Sequence, residues 1–570
     1  MFDVVEGCHI VLRRLFVPLI YALLVCSNCL AADDAKQAET PVKTFTIQGQ
    51  VITTDTNEPQ PLAARVTVRA ANGTWYFPKS ASSDGSAIEY RKQVGPNSLE
   101  QHVTLSAHPF VVDVPPGKYT IIAERGKEYY PFQREVTVNT ESVSVKLPIQ
   151  RWINMAEKGW YSGDVHAHRP LSEMPNLVLA EDLNVGMPLS HWVTEADKGP
   201  VSGNRITGPQ PKAQWIAVDP THGIYPLNTE YEIFTVGGKP HTLGAVLLLG
   251  QSTTTDQGVP PVRRIAEWAH RDGAFLDLEK HSWAWTPMIV PLMKPDLFEL
   301  ANNHCWPSQF AFHSWTLDAA AKSMHLETND QGFTERGWID FGMKSYYAYL
   351  NCGFRMMPSA GTGSGVHPVP LGFGRVYVHL DGDFSYQKWC EGLLAGHSFV
   401  TTGPMMQTTF NGQQAGSTFK TEADSHDVHI QGVVSNMMPL ERIEILVNGA
   451  VVKDVHKLQI QPASRRPVVE QIDETIRVEG TGWVAVRCFE KLIDGRIRFA
   501  HTAPVFVDRQ GHLSRPFKDE ARHFVERIER EIERHKGVLT PESLDEYHEA
   551  LAIYRELFSR AVERPAAENN

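Results

Sequence analysis

The chain has 570 residues, 42% hydrophobic and 21% charged, with a formal net charge of -12. That length exceeds a single hydrophobic core and implies roughly three or four domains. The composition excludes a disordered or fibrous chain, and an acidic balance without any long Lys/Arg run argues against a nucleic-acid partner.

Arg13 and Arg14 precede an apolar run, Leu15 to Val25, followed by small residues up to Ala31. This pattern predicts a secretion signal over residues 1–31 and a periplasmic or extracellular protein. The run is short for a bilayer span, so an uncleaved membrane anchor is the lesser reading. No later segment is apolar enough to cross a membrane, so no span is expected once the signal is removed. Three of the seven cysteines, Cys8, Cys26 and Cys29, fall in this leader. Cys305, Cys352, Cys390 and Cys488 are widely spaced, impose no disulfide framework, and are expected to act as small buried hydrophobes.

Residues 32–42 read as a polar linker. Over residues 43–150, alternating runs at Phe45–Val51, Ala64–Arg69, Arg134–Val138 and Ser142–Leu147 are joined by Pro/Gly turns, which predicts a β-sandwich. No ligand-like cluster lies in this segment, so it is expected to be dispensable for metal binding. From 151 to 404, strands alternate with helices: Gly163–Val165 ends a strand, Val262–Arg271 is a helix, Phe275–Leu278 and Leu297–Leu300 are strands, and Trp389–Ala395 is a helix. Such alternation implies an α/β layer or barrel. Strands return over 405–510, with an Asn448-Gly449 hairpin turn, as a second β-sandwich. Residues 511–570 form a helical tail, in which Thr540 caps a helix opening at Pro541. The mixed charges from Glu520 to Lys536 predict a solvated face.

Asp164-Val165-His166-Ala167-His168 closes a predicted strand. Alternate strand residues point the same way, so both imidazoles can reach one ion. Alone, His-x-His is a weak motif in a chain with 24 histidines. Its company strengthens it. His191 ends a short strand, Glu230 and Glu232 share one strand face, and His241 heads an apolar strand. Glu279, Lys280 and His281 follow the strand Phe275–Leu278, and Glu299 to His304 follow Asp296. Repeated His or Glu at strand ends suits a metal site at one face of a barrel.

This order resembles the PHP (polymerase and histidinol phosphatase) metal-dependent hydrolases. Trp160-Tyr161-Ser162-Gly163-Asp164-Val165-His166-Ala167-His168-Arg169-Pro170, Ala301-Asn302-Asn303-His304, Asn351-Cys352-Gly353-Phe354-Arg355 and Gly396-His397-Ser398-Phe399 resemble its CehA/McbA, carbaryl-hydrolase-like branch. Residues 43–150 resemble the carboxypeptidase-regulatory modules that often precede exported hydrolases. The resemblance spans about Lys43 to Pro404. It implies a PHP-like distorted β/α barrel holding one to three divalent metals; with the segments read above, the chain is expected to be multidomain, with an N-terminal β-sandwich, this central barrel, a C-terminal β-sandwich and a helical tail. It also implies hydrolysis of an ester, amide/carbamate or phosphoester bond. Two departures matter. Ser190-His191 stands where the family usually has Asp-His, and Gly361-Thr362-Gly363-Ser364-Gly365 stands where it usually has Asp-x-His.

The expected metal ligands are His166, His168, Glu230, His241, His191 and His304, with Glu232 an alternative to Glu230. They would hold one or two ions of zinc, manganese or iron. Lys280 or Arg355 is expected to polarise the bond under attack, and Glu279 or Glu230 to carry the proton. The substrate is expected to be a small molecule or derived from a polymer. The alternative from another class is a PHP-like barrel that has lost ligands and binds a surface polymer such as a carbohydrate. The sequence leaves the oligomeric state open.

Overall fold

Alternation in the strand Phe45–Thr53 buries Ile47, Val51 and Thr53 and turns Gln48 to solvent. Between them, Gly49 admits a close neighbour: a Cβ there would sit 2.2 Å from Cζ of Phe110, on the antiparallel partner strand. Two sheets of this kind, built from residues 45–151, enclose Val66, Val68, Phe110, Ile121 and Leu147. In this computed structural model, residues 43–56, 58–203, 210–455 and 466–564 are described. The predicted leader and the linker lie outside the described residues.

From Trp160, strands and helices alternate as the sequence predicts. The elements are β1 (Trp160–Ala167), α1 (Met174–Ala180), β2 (Val185–Pro188), β3 (His191–Glu195), β4 (Thr229–Val236), β5 (Ala245–Leu249), α2 (Arg263–Asp272), β6 (Phe275–Leu278), α3 (Thr286–Met293), β7 (Leu297–Ala301), α4 (Glu335–Asn351), β8 (Met357–Ala360), β9 (Arg375–His379), α5 (Tyr386–Ala395) and β10 (Ser398–Thr401). Helix ends follow local chemistry. Ser385 accepts the N–H of Lys388 at the start of α5, and Gly273, at φ 83°, closes α2 in the left-handed conformation.

One sheet runs β3-β4-β5-β6-β7-β8, and another contains β2-β1-β9-β10. The barrel expected from the resemblance is not a closed ladder among the described residues. A closed parallel barrel needs every strand to run the same way. Here β5 is antiparallel to β4 and β6, because a hairpin through Lys239–Pro240 returns the chain directly, and β9 is antiparallel to β1. The two sheets meet instead through backbone hydrogen bonds. Thr362 and Gly363 donate to the carbonyl of His166, and His168 donates to Ser364.

The sheet of β1 continues past Pro404, because β10 pairs with Ile497–Thr502, which pairs with Gly482–Lys491 and, through it, Arg442–Val447. A separate three-stranded sheet (Met405–Phe410, Ser425–Asn436, Val468–Glu479) shares an apolar core with it around Phe410, Val428, Ile443 and Val484. Asn448 and Gly449 both have positive φ, as the predicted hairpin turn requires.

The tail forms α6 (Lys518–His535) and α7 (Pro541–Ser559). The solvated face expected from its charges is half of the helix. Ala521, Phe524, Ile528 and Ile532 recur at helical spacing and are buried. Phe524 stacks on Tyr349 of α4 at 4.5 Å. Among the described residues no helix is long and apolar enough to cross a membrane, and all four cysteines are free thiols, Cys352 and Cys488 buried.

Candidate metal centre

His166 lies near the end of β1, whose eight residues are all buried, and His168 lies one residue beyond it. Their two-residue spacing points both rings the same way. The Nε2 atoms stand 3.2 Å apart. Glu230, second residue of β4, brings Oε2 to 3.1 Å from Nε2 of His168 and Oε1 to 3.9 Å from Nε2 of His166. On the other edge of the His166 ring, Nδ1 is 3.0 Å from Oε2 of Glu299 in β7 and 3.3 Å from Oε2 of Glu279 after β6. Two triads therefore share His166: His166/His168/Glu230 and His166/Glu279/Glu299. Within each, the ligand atoms lie within 4.8 Å of one another.

The electrostatics favour a cation here. Both oxygens of Glu230 and Oε1 of Glu279 are buried, and beyond the hydrogen bond the two carboxyls share they have no well-formed partner. Burial, followed by repulsion from Glu232, pushes Glu230 up to about 8. Burial likewise raises Glu279 and Glu299 well above the usual carboxylate range. It lowers His168 to about 4 and His166 well below its ordinary value. A buried carboxylate without a donor is costly. Neutral imidazole and carboxylate converging on one gap form a donor set that zinc, manganese or iron accepts, so these residues fit a divalent ion.

Neighbouring groups hold the ligands. The Lys280 ammonium is 2.5 Å from Oε2 of Glu279 and 3.5 Å from Oε1 of Glu232, which keep it charged despite burial. Trp192 donates its indole N–H to Oε2 of Glu232 at 3.0 Å and packs its ring 4.7 Å from that of His168. Asp164 accepts the N–H groups of His166, Thr362 and Gly372 and the Thr362 hydroxyl, fastening the loop after β8 to the end of β1.

The structure brings together His166, His168, Glu230, Glu279 and Lys280 from the sequence reading. It places four other residues outside both triads. His304 is buried, its ring 4.2 Å from Phe312 and 6.0 Å from His367, with Nδ1 unpartnered. His191 has both nitrogens engaged, Nδ1 with Ser190 at 3.0 Å and Nε2 with Gln210 at 2.8 Å. His241 meets His535 of the tail at 2.9 Å. Its N–H pairs with Phe234, four residues beyond Glu230 along β4, a separation of roughly 13 Å in a strand. Arg355 pairs with Asp508 and lies over Phe506 at 4.3 Å. Polarisation of the reacting bond therefore does not fall to Arg355.

Glu299 was not among the expected ligands. Its signal is the strand Leu297-Phe298-Glu299-Leu300-Ala301, where one acid interrupts a wholly buried apolar run. Gly361 and Gly363 leave the room it occupies. A Cβ on Gly361 would lie 2.2 Å from Cβ of His166 and 2.8 Å from Oε1 of Glu299. One on Gly363, at φ +59°, would lie 2.7 Å from Cδ2 of His367. A carboxylate from β7 thus fills the space beside His166, and no sequence pattern announces His367.

No family model matches the sequence, and no curated protein matches it. Two solved structures show a likeness. One is a two-domain protein from Bacteroides vulgatus containing a predicted PHP-like metal-dependent phosphoesterase, with 10% identity over 57% of this chain and 90% of that one, at a TM-score of 0.28. The other is GBS52, the minor pilin of Streptococcus agalactiae, with 16% identity over 20% of this chain and a TM-score of 0.15. The matched region spans 47% of the pilin, about half its length. At these scores neither likeness assigns a fold or an activity.

Proposed function

We propose that the chain is an exported metal-dependent hydrolase of the PHP type, of the CehA/McbA branch, with a distorted barrel around the two triads. The observation that carries this reading is the convergence of His166, His168 and Glu230, with both Glu230 oxygens buried and without a well-formed partner beyond Glu279. A divalent ion held there supplies Lewis acidity, activating water and polarising the oxygen under attack. His166 and His168 offer it neutral nitrogens, since burial keeps both rings unprotonated. Glu279 has Oε2 against Lys280 and shares a hydrogen bond with Glu230, which makes its carboxyl the group placed to pass a proton to the leaving group. Lys280 offsets the charge that Glu279 and Glu232 bring to the pocket.

Glu230, Glu232, Glu279, Glu299 and Asp277 are buried near the Lys280 ammonium. Where a bound cation holds those carboxyls ionised, a neutral ester, amide or carbamate suits the pocket better than a phosphate dianion. Arylester and arylcarbamate turnover is expected to exceed that of the aryl phosphate.

The test is metal content and arylester hydrolysis of His166→Ala, His168→Ala and the double variant. Removing either imidazole is expected to abolish both properties, and the double variant to add little. His397→Ala, outside both triads, is the control. Folded His166→Ala protein with full metal occupancy and unchanged turnover would overturn the reading.

A further inference from the structure

Ala87–Gln93 is an edge strand of one N-terminal sheet, and Tyr90 is its one fully buried side chain, 3% exposed. Within its own sheet its ring packs 5.2 Å from that of His102, its cross-strand partner. Tyr90 reaches out of the module to the loop after β8. Its hydroxyl donates to the carbonyl of His367 and accepts the N–H of Gly365 at 2.9 Å. That same loop braces the metal centre from behind. Thr362 and Gly363 donate to the His166 carbonyl at 3.2 and 2.7 Å, and Ser364 accepts the N–H of His168 at 2.7 Å. Gly365 lies so close that a Cβ would fall 2.0 Å from the carbonyl oxygen of His168. Arg169, next to His168, lies over the Tyr90 ring at 4.5 Å and is held by Glu173 at 2.7 Å.

We propose that Tyr90 is a positioning residue of the metal centre, supplied by the N-terminal strands. Through Gly365 and His367 it fixes the loop whose backbone sets the direction of His166 and His168. The inference rests on the reading of that centre as a metal site. Imidazole ligands lose their convergence when the backbone carrying them rotates, so removing one hydroxyl that is distant from His166 in the sequence acts on the ion and not on the fold alone. Loss of an outer support of this kind typically costs about 10- to 100-fold in metal affinity.

The experiment titrates cobalt(II) into the full chain, reading affinity and the d–d absorption bands, for wild type, Tyr90→Phe, Tyr119→Phe and His166→Ala. Tyr119 also buries its ring in the N-terminal module and donates its hydroxyl to Pro115, away from the loop. Tyr90→Phe is expected to bind cobalt about 10- to 100-fold more weakly, with altered bands and a folded far-ultraviolet spectrum, and Tyr119→Phe to match wild type. If Tyr90→Phe keeps wild-type affinity and bands while His166→Ala loses the ion, Tyr90 does not position the centre. Equal impairment of Tyr119→Phe would likewise overturn the inference, by tracing the effect to module stability. If wild type and His166→Ala bind alike, the metal centre itself is misassigned and the inference falls with it.

Discussion

Around Gly361, volume decides which residue types are allowed. Its missing Cβ would overlap Cβ of His166 at 2.2 Å and approach the Glu299 carboxylate within 2.8 Å, so a side chain there crowds both ligands. Gly361→Asp is therefore expected to destabilise the protein by about 1–3 kcal/mol through overpacking and to weaken metal binding. Glu299→Ala in the same chain makes room and is expected to recover part of that stability. Thermal melts of the two variants check this. A Gly361→Asp protein that melts with wild type would show that the loop moves aside freely.

Elements buried on both sides carry titratable groups that resist charging. His501, in the strand Ile497–Thr502, is fully buried, with Nδ1 donating to the Thr502 carbonyl at 2.6 Å and Nε2 meeting the Tyr347 hydroxyl of α4 at 2.8 Å. Burial lowers its imidazole to about 3. In the unfolded chain histidine titrates near 6.5, so between these values the unfolded state binds the extra proton. The stabilisation is complete above about pH 6.5 and declines on acidification, by about 1.4 kcal/mol per pH unit for this group, until about pH 3. Denaturant unfolding of His501→Gln between pH 7 and 5 is expected to show a shallower decline than wild type. Parallel declines would place the acid sensitivity elsewhere. The tail shows the same division between charge and burial. Arg527 of α6 is buried and donates to the carbonyls of Ser282 and Trp283, beneath the loop that carries Lys280.

At the scale of the molecule, residues 45–570 form one compact unit, and buried ion pairs cross from the N-terminal strands to the metal-bearing sheets. Arg125 and Arg151 hold Asp182 at 2.9 and 2.8 Å, and Arg65 holds Glu181 at 2.8 Å. These contacts bear on the expectation that residues 43–150 are dispensable for metal binding, because deleting the segment uncovers the face they cross. A chain beginning at residue 151 keeps Arg151 but loses Arg65 and Arg125, and it uncovers the face on which Glu181 and Asp182 sit. A chain beginning at residue 151 is expected to aggregate or unfold. Recovery of that fragment as a soluble monomer with full cobalt affinity would contradict this.

Periodicity and turn chemistry are local properties, and they made most elements legible. The alternation at Phe45, the Asn448-Gly449 turn and the Thr540-Pro541 helix start follow from neighbouring residues alone. So did the pairing of His166 with His168, because two-residue spacing on a strand is itself a geometry. What lay beyond the sequence were choices made by distant parts of the chain. Whether Glu230 or Glu232 faces His168 was decided by strand register and by Trp192 and Lys280 claiming Glu232. His241 resembled a ligand by order, yet the β4–β5 hairpin carries it to the tail. Glu299 beside Gly361, and Tyr90 behind the loop, were decided by tertiary packing, which brings residues far apart in sequence into contact that no local pattern records.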